Sequence, residues 1–223
     1  MKALVLTSGG LDSATCLALS IEEYGVENVS AMSIRYGQTL QKEVESAKAL
    51  ADYYGVPHIV ADLTELFKGA KCSLISESEV EIDKRPYEEQ SDGIISSYVP
   101  FRNGLFLSAA VTVAMSKGGN DDCVVVLGNH GSDFAYADCS PKFVSKMNSA
   151  IQEGTYGKAK FWSPLNGMTK AQVVSEGIRL NVPYELTWSC YEGGEKPCGK
   201  CASCICRIEA FRENGTEDQL EYQ

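Results

Sequence analysis

Two rhythms of apolar and polar residues alternate along this chain. Short apolar runs are each followed by longer stretches with apolar residues three and four apart. Residues 2–7 predict a buried strand and 12–24 a helix; 29–34 predict a second strand. Residues 38–54 carry Leu40, Val44, Ala47, Leu50 and Ala51 at helical spacing, and 58–63 read as a third strand. Residues 68–97 are polar, rich in Ser and Glu, and weakly patterned, which predicts an insertion or mobile loop. An apolar helix over 103–117 is broken by Gly118-Gly119-Asn120, and 123–127 form a strong strand. Helices follow at 141–153 and 169–180, the second opened by Thr169 and closed near Pro183. Strand–helix units in series predict an α/β fold, a doubly wound parallel sheet with helices on both faces. From about residue 185 the pattern stops and a cysteine cluster begins. The expected division is therefore 1–184 for a nucleotide-binding and catalytic domain and 185–223 for a metal region and tail.

In such a sheet, ligands bind beyond the carboxyl ends of strands. "SGGLDS" (8–13) falls at the end of the first strand. Its glycines permit a tight turn and close approach of an anion to backbone N–H groups, and the following helix points its positive end there. Ser8 and Ser13 add hydroxyls, so the loop suits a phosphate or pyrophosphate. Asp12 would repel a bare phosphate and implies an intervening Mg2+. The same residues also suit a plain strand–helix turn with Asp12 as cap. The loop is neither a Walker P-loop nor Gly-x-Gly-x-x-Gly.

The chain has 223 residues, 30 acidic and 20 basic, for a net charge of −10. That balance disfavours a polyanion as main ligand, so no nucleic-acid partner is expected. No apolar run approaches the ~20 residues of a membrane span, and the amino-terminal run leads straight into Ser-Gly-Gly rather than a cleavage site. A cytoplasmic protein without membrane contact is expected, with a homodimer as the prior. Five of nine cysteines crowd into 190–206, and in a reducing compartment that points to metal. Cys198, Cys201 and Cys204 are spaced C-x2-C-x2-C, and Cys190 lies upstream. Four thiolates complete a tetrahedral Zn2+ shell. Cys206 would point away on a helix over 204–213, which selects Cys190, Cys198, Cys201 and Cys204; an iron–sulfur centre and free thiols are the alternatives.

Three further segments are expected at the same sheet edge: "RYGQ" (35–38), "VPFRNG" (99–104) and "GNHGSDFAYADC" (128–139). Asp133 and Asp138 can accept hydrogen bonds from a guanine-like ring, and Tyr136 or Phe134 can stack on it. Arg102 or Lys170 can balance a substrate carboxylate or a leaving phosphate. Each also has a plain reading: Arg102 as a cap or salt bridge, Asp133 as a turn, Tyr136 as core. His130 is read as an ordinary solvated loop histidine.

"SGGLDS" resembles the signature of the PP-loop ATP pyrophosphatases, which adenylate a carbonyl or carboxyl oxygen. The resemblance implies that Ser8, Gly9, Gly10, Asp12 and Ser13 bind the ATP phosphates and Mg2+. Thr7, Leu11, Tyr36 and Gln38 are assigned to ATP with them. "RYGQ", "VPFRN" and "TWSCYEGGEKPCGKCASC" are similar to the 7-cyano-7-deazaguanine synthase family, from Lys2 to Phe211. That likeness implies an ATP-dependent ligase joining ammonia to 7-carboxy-7-deazaguanine through adenylated acid and amide intermediates. Asp12, Arg102 and Lys170 are then expected as catalytic residues, and Arg102, Asn103, Asp133, Tyr136 and Asp138 as substrate-binding ones. Asp138 and Cys139 match the family's Ser-Gly-Tyr-Pro-Asp-Cys-Arg run, whereas Ala135, Ala137 and Ser140 replace its glycine, proline and arginine, and "GNHGSD" is atypical. These departures leave open a different acceptor carboxylate, such as another base or a peptide terminus. A tRNA-thiolating enzyme and a non-catalytic nucleotide-binding module are the remaining alternatives.

Overall fold

The computed structural model describes residues 2–39, 42–81, 94–119, 121–130 and 136–223. Its centre is a five-stranded, all-parallel sheet built from β1 (Lys2–Leu6), β2 (Val29–Arg35), β3 (His58–Asp62), β4 (Cys123–Val126) and β5 (Ala159–Trp162), in the order β3-β2-β1-β4-β5. Side chains alternate across the pleat, so register decides which residues share a layer. Ala3 pairs with Val29 and Val124, and Val5 with Ala31 and Val126. All six belong to one core with helices α1 (Leu11–Tyr24), α2 (Lys42–Tyr54), α6 (Lys170–Arg179) and α7 (Ala202–Glu213). Leu4, Met32, Ile34 and Val125 face the other way, against α4 (Arg102–Gly118) and α5 (Pro141–Gly154). A short helix α3 (Thr64–Phe67) follows β3. Strands covered on both faces must be apolar throughout, which is why β4 reads Cys-Val-Val-Val.

Local chemistry fixes the helix starts. Ser140 accepts a hydrogen bond from Phe143 N–H with Pro141 in the first turn of α5. Thr169 and Gln172 form a reciprocal capping box on α6. α4 begins differently: Phe101 precedes it with φ 51° and ψ 29°, left-handed backbone on a non-glycine residue. Its ring packs edge-on against Phe143 at 5.8 Å.

Three expectations need correction. α2 begins at Lys42 rather than Gln38: Gln38 Oε1 accepts from Tyr36 N–H, and Nε2 donates to Ile34 O. That side chain closes the end of β2 instead of entering the helix. β5 was absent from the sequence pattern, because only four residues form it and just Ala159 is fully buried. The 68–97 stretch is in part packed structure: Cys72 and Ile75 are buried with Tyr36, Phe67 and Val99, and Ser73 N–H donates to Ser96 O. The apolar residues of that stretch are too sparse to show a period, yet they cover one end of the sheet.

Residues 185–223 share the main core, since Ala210 and Phe211 of α7 pack with α6 residues. Arg207 is buried and gripped from several sides. Its guanidinium donates to Asp218, Thr187 Oγ1 and the Tyr184 carbonyl. Pairing on that scale is what a buried charge requires. Beyond Asp218 the chain runs back onto the cysteine cluster: Gln223 N–H donates to Pro197 O, and its amide to Lys196 O.

Candidate active site

In a 3-2-1-4-5 sheet the chain reverses direction between β1 and β4, opening a crevice beyond their carboxyl ends. The "SGGLDS" loop leaves β1 at this point. Gly9 has φ +89°, and a Cβ there would lie 2.1 Å from Glu43 O and 2.9 Å from Ala47 N. Only glycine lets the loop pass so close to α2. Gly10 is the extended N-cap of α1 and has no side chain to cap with, so the helix start stays open. Ser13 Oγ accepts from Gly9 N–H at 3.2 Å and donates to Gly10 O at 2.9 Å; Ser8 Oγ lies 3.2 Å from Ser13 Oγ. Thr7 is turned inward, donating to Val5 O, and Leu11 is buried in the core.

Asp12 projects from the first turn of α1. Lys170 Nζ, at the start of α6, lies 2.7 and 2.5 Å from its two carboxylate oxygens. His130 Nε2 is 3.9 Å from Asp12 Oδ2, and its side chain is only 8% exposed. The solvated-loop reading of His130 is therefore corrected: the β4 loop folds back over α1.

Asp12 and its loop border a cavity of about 340 Å3. Thr7, Ser8, Asp12 and Ser13 line one side, and Tyr36, Gln38, Arg102, Asn103 and Tyr136 line the others. The segments "RYGQ", "VPFRNG" and the described part of 128–139 thus meet at one edge. Arg102 donates to Tyr36 Oη at 3.3 Å and stands over the rings of Tyr36 and Phe106. Tyr136 Oη is 2.9 Å from Ser97 Oγ. Asn129 Oδ1 and Ser73 Oγ, both from cavity-lining residues, are buried without a hydrogen-bond partner among the described residues. Such orphaned atoms suit a polar ring. Asp138 is buried, and its Oδ2 accepts from Asn103 N–H at 2.8 Å, so it anchors the start of α4. Asn103 Nδ2 in turn donates to Cys139 Sγ. Asp133 and Phe134 lie outside the described residues.

A charged lining residue escaped the sequence reading. Glu43, in the first turn of α2, faces this cavity, and burial pushes its carboxyl up to about 7 against the opposing pull of Arg102. The signal was present: 43, 47, 50 and 51 lie on one helical face, and the last three are buried apolar residues. A glutamate on that face is out of place for an ordinary amphipathic helix.

The four Sγ atoms of Cys190, Cys198, Cys201 and Cys204 all lie within 4.8 Å of one another and are buried. Backbone N–H groups of Glu192 and Cys198 donate to Cys190 Sγ, and those of Lys200 and Cys201 to Cys198 Sγ. A hydrogen bond from Cys204 holds the Cys201 thiol below the usual cysteine range. The donor set fits a soft or borderline metal held as in a structural centre. Cys206 is exposed and outside the group. The cluster is tied to the glycine loop: Trp188 N–H donates to Gly9 O at 2.9 Å. Lys42 sits over the Trp188 ring and donates to the Gly194 and Glu195 carbonyls.

The fold and loop define a PP-loop, ATP-pyrophosphatase-type protein with a four-cysteine appendage. Among solved structures, the NMN synthetase of Francisella tularensis matches with a TM-score of 0.53 at 14% identity, over 97% of this chain and 78% of that one. The U34-tRNA thiolase NcsA of Methanococcus maripaludis, with its iron–sulfur cluster, matches at 0.51 and 12%, over 96% of this chain and 66% of that one. At these identities the likeness is one of fold. The family model described as "Queuosine biosynthesis protein QueC" matches residues 2–215, and the chain belongs to that family. A 7-cyano-7-deazaguanine synthase of Thermoplasma acidophilum is 42% identical over all of this chain and 92% of its own length. One of Pseudoalteromonas atlantica is 38% identical over 100% and 99%.

Proposed function

We propose that this protein is an ATP-dependent C–N ligase that converts 7-carboxy-7-deazaguanine and ammonia to 7-cyano-7-deazaguanine. A carboxylate oxygen attacks the α-phosphorus of ATP, and pyrophosphate leaves. Ammonia then attacks the activated carbon, AMP departs, and an amide results. The amide oxygen attacks a second ATP; loss of AMP and of the remaining N–H protons leaves the nitrile. One site serves both halves because each turns an oxygen into a leaving group.

The shared cavity is the observation that carries this reading. The Ser8–Ser13 loop and the Arg102–Asn103 wall open into the same 340 Å3 space, so a triphosphate on one side meets a carboxylate on the other. The uncapped start of α1 offers N–H groups to phosphate, flanked by Ser8 and Ser13, whose hydroxyls here hold the Gly10 and Gly9 N–H groups. Thr7 and Leu11 hold that loop from the core side, and Tyr36 and Gln38 form the floor of the cavity. Asp12 would hold Mg2+, which supplies charge neutralisation of the phosphates. Lys170, here paired with Asp12, would stabilise the departing pyrophosphate. Arg102 orients the acceptor carboxylate, Asn103 and Tyr136 border the base, and Asp138 positions Asn103. Cys190, Cys198, Cys201 and Cys204 would hold Zn2+, which supplies a closed structural cross-link with no open position for chemistry. Residues 1–184 thus carry the reaction and 185–223 the metal.

The acidic balance of the chain favours a free base over RNA as acceptor. All nine cysteines are thiols, in keeping with a cytoplasmic enzyme. A homodimer remains the simplest assembly. The test is to incubate purified protein with Mg-ATP, ammonium and 7-carboxy-7-deazaguanine. AMP, pyrophosphate and the nitrile are expected, with two AMP per nitrile. AMP release only with another carboxylate would transfer the reading to a different acceptor.

A further inference from the structure

We propose that Glu43 is the base that removes protons from the acceptor nitrogen in both halves of the reaction, a role that rests on the function proposed above. Its carboxylate borders the cavity and has no hydrogen-bond or salt-bridge partner among the described residues. The other carboxylate lining the cavity, Asp12, is clamped by both oxygens on Lys170. Tyr36 is pushed up to about 12 by burial, and Cys139 Sγ already accepts from Asn103. The charged and titratable groups that act on Glu43 are Arg102 from α4 and Tyr36 from the end of β2. Arg102 both orients the acceptor carboxylate in the reading above and lies within electrostatic reach of Glu43. Glu43 therefore lies between the two sides of the cavity: its backbone carbonyl packs against Gly9 of the phosphate loop, and its carboxyl feels Arg102 on the acceptor wall.

The chemistry demands such a group. Ammonia attacks the acyl adenylate, the C–N bond forms, and the carbonyl pair moves to oxygen. The adduct's positively charged nitrogen must give up a proton before the carbonyl re-forms and the C–O bond to AMP breaks. In the second half, the adenylated amide loses one N–H proton to give an imidate. It loses the other as the C≡N bond completes and AMP leaves with the C–O pair. Each proton goes to the Glu43 carboxylate and from there to solvent, with no oxidant or reductant involved. A carboxylate of ordinary basicity is a weak acceptor for these protons. Burial strengthens this one to near neutrality, where a general base is most effective.

The experiment separates the two nitrogen steps from adenylation. ATP–pyrophosphate exchange with 7-carboxy-7-deazaguanine reports adenylation alone; its absence in the native protein would sink the proposed function and this role with it, whereas the Glu43→Gln results bear on the role alone. Glu43→Gln is expected to retain measurable exchange yet lose amide formation by on the order of 100-fold or more at a fixed free-ammonia concentration. Glu43→Asp should recover part of that rate. The native rate, again at fixed free ammonia, should rise through pH 7 and level off, and E43Q should be flat. Hydroxylamine, whose adduct sheds its proton more readily, should be affected less by E43Q than ammonia. Equal loss of exchange and amide formation in E43Q would overturn the role, as would an unchanged pH limb.

Discussion

Gly9 carries two constraints at once, a left-handed φ and the close passage of α2. Gly9→Ala places a methyl group 2.1 Å from the Glu43 carbonyl, which cannot swing away because it belongs to a helix. We expect a loss of about 3 kcal/mol, read from the denaturation midpoint. A shift under a quarter of that would show the loop moving freely from α2. Asp12→Ala should leave the fold intact and cut AMP release by about 100-fold or more, measured with saturating Mg-ATP and acceptor; activity near the native level would remove Asp12 from the metal and phosphate chemistry. At this scale the sequence was readable where a residue type is itself unusual. Two glycines between serines at the end of a strand announce a ligand loop. Asp138 was harder: its carboxylate serves Asn103 N–H across 35 positions of chain, a contact no local spacing discloses. Glu43 lay between these cases, visible only once the apolar face of its helix was drawn.

The cysteine knuckle and the glycine loop are far apart in sequence and share a direct hydrogen bond, Trp188 N–H to Gly9 O. Metal loss should therefore reach the nucleotide. Chelation under reducing conditions is expected to weaken ATP binding several-fold in calorimetry, with recovery on adding Zn2+; unchanged affinity in the folded, metal-stripped protein would uncouple the two elements. Cys201→Ser should lose the bound metal, measured by elemental analysis, which also separates zinc from iron. Its stability should fall by several kcal/mol, since a structural zinc centre contributes directly to folding. Most elements were legible because long helices and doubly buried strands have strong periods. β5 was not, because a four-residue edge strand carries too few positions for any period to emerge. Nor was the left-handed start of α4, since phenylalanine at position 101 conceals a backbone that usually advertises itself through glycine.

The whole molecule feels Glu43 through proton linkage. Its folded carboxyl sits near 7, above the ordinary 4.5, so the native state binds a proton the unfolded chain releases. The contribution is full below about 4.5 and is lost as pH rises through 7. At pH 8 the E43Q variant should be more stable than the native protein by about 1–3 kcal/mol, and the difference should vanish near pH 4. Chemical denaturation at both pH values checks this; a variant of equal or lower stability at pH 8 would show the carboxylate to be well solvated. The parallel sheet and its two-faced core followed from the alternation of strands and helices; the strand order did not. The cavity did not, because its walls come from segments that only the parallel topology gathers. A practical point attaches to the residues after Asp218, which double back to sit on the metal knuckle. A purification handle or fluorophore joined at Gln223 would sit on residues that hydrogen-bond to Lys196 and Pro197 of that knuckle. Labels intended to report on this enzyme without disturbing it belong instead on the open outer surface of α5.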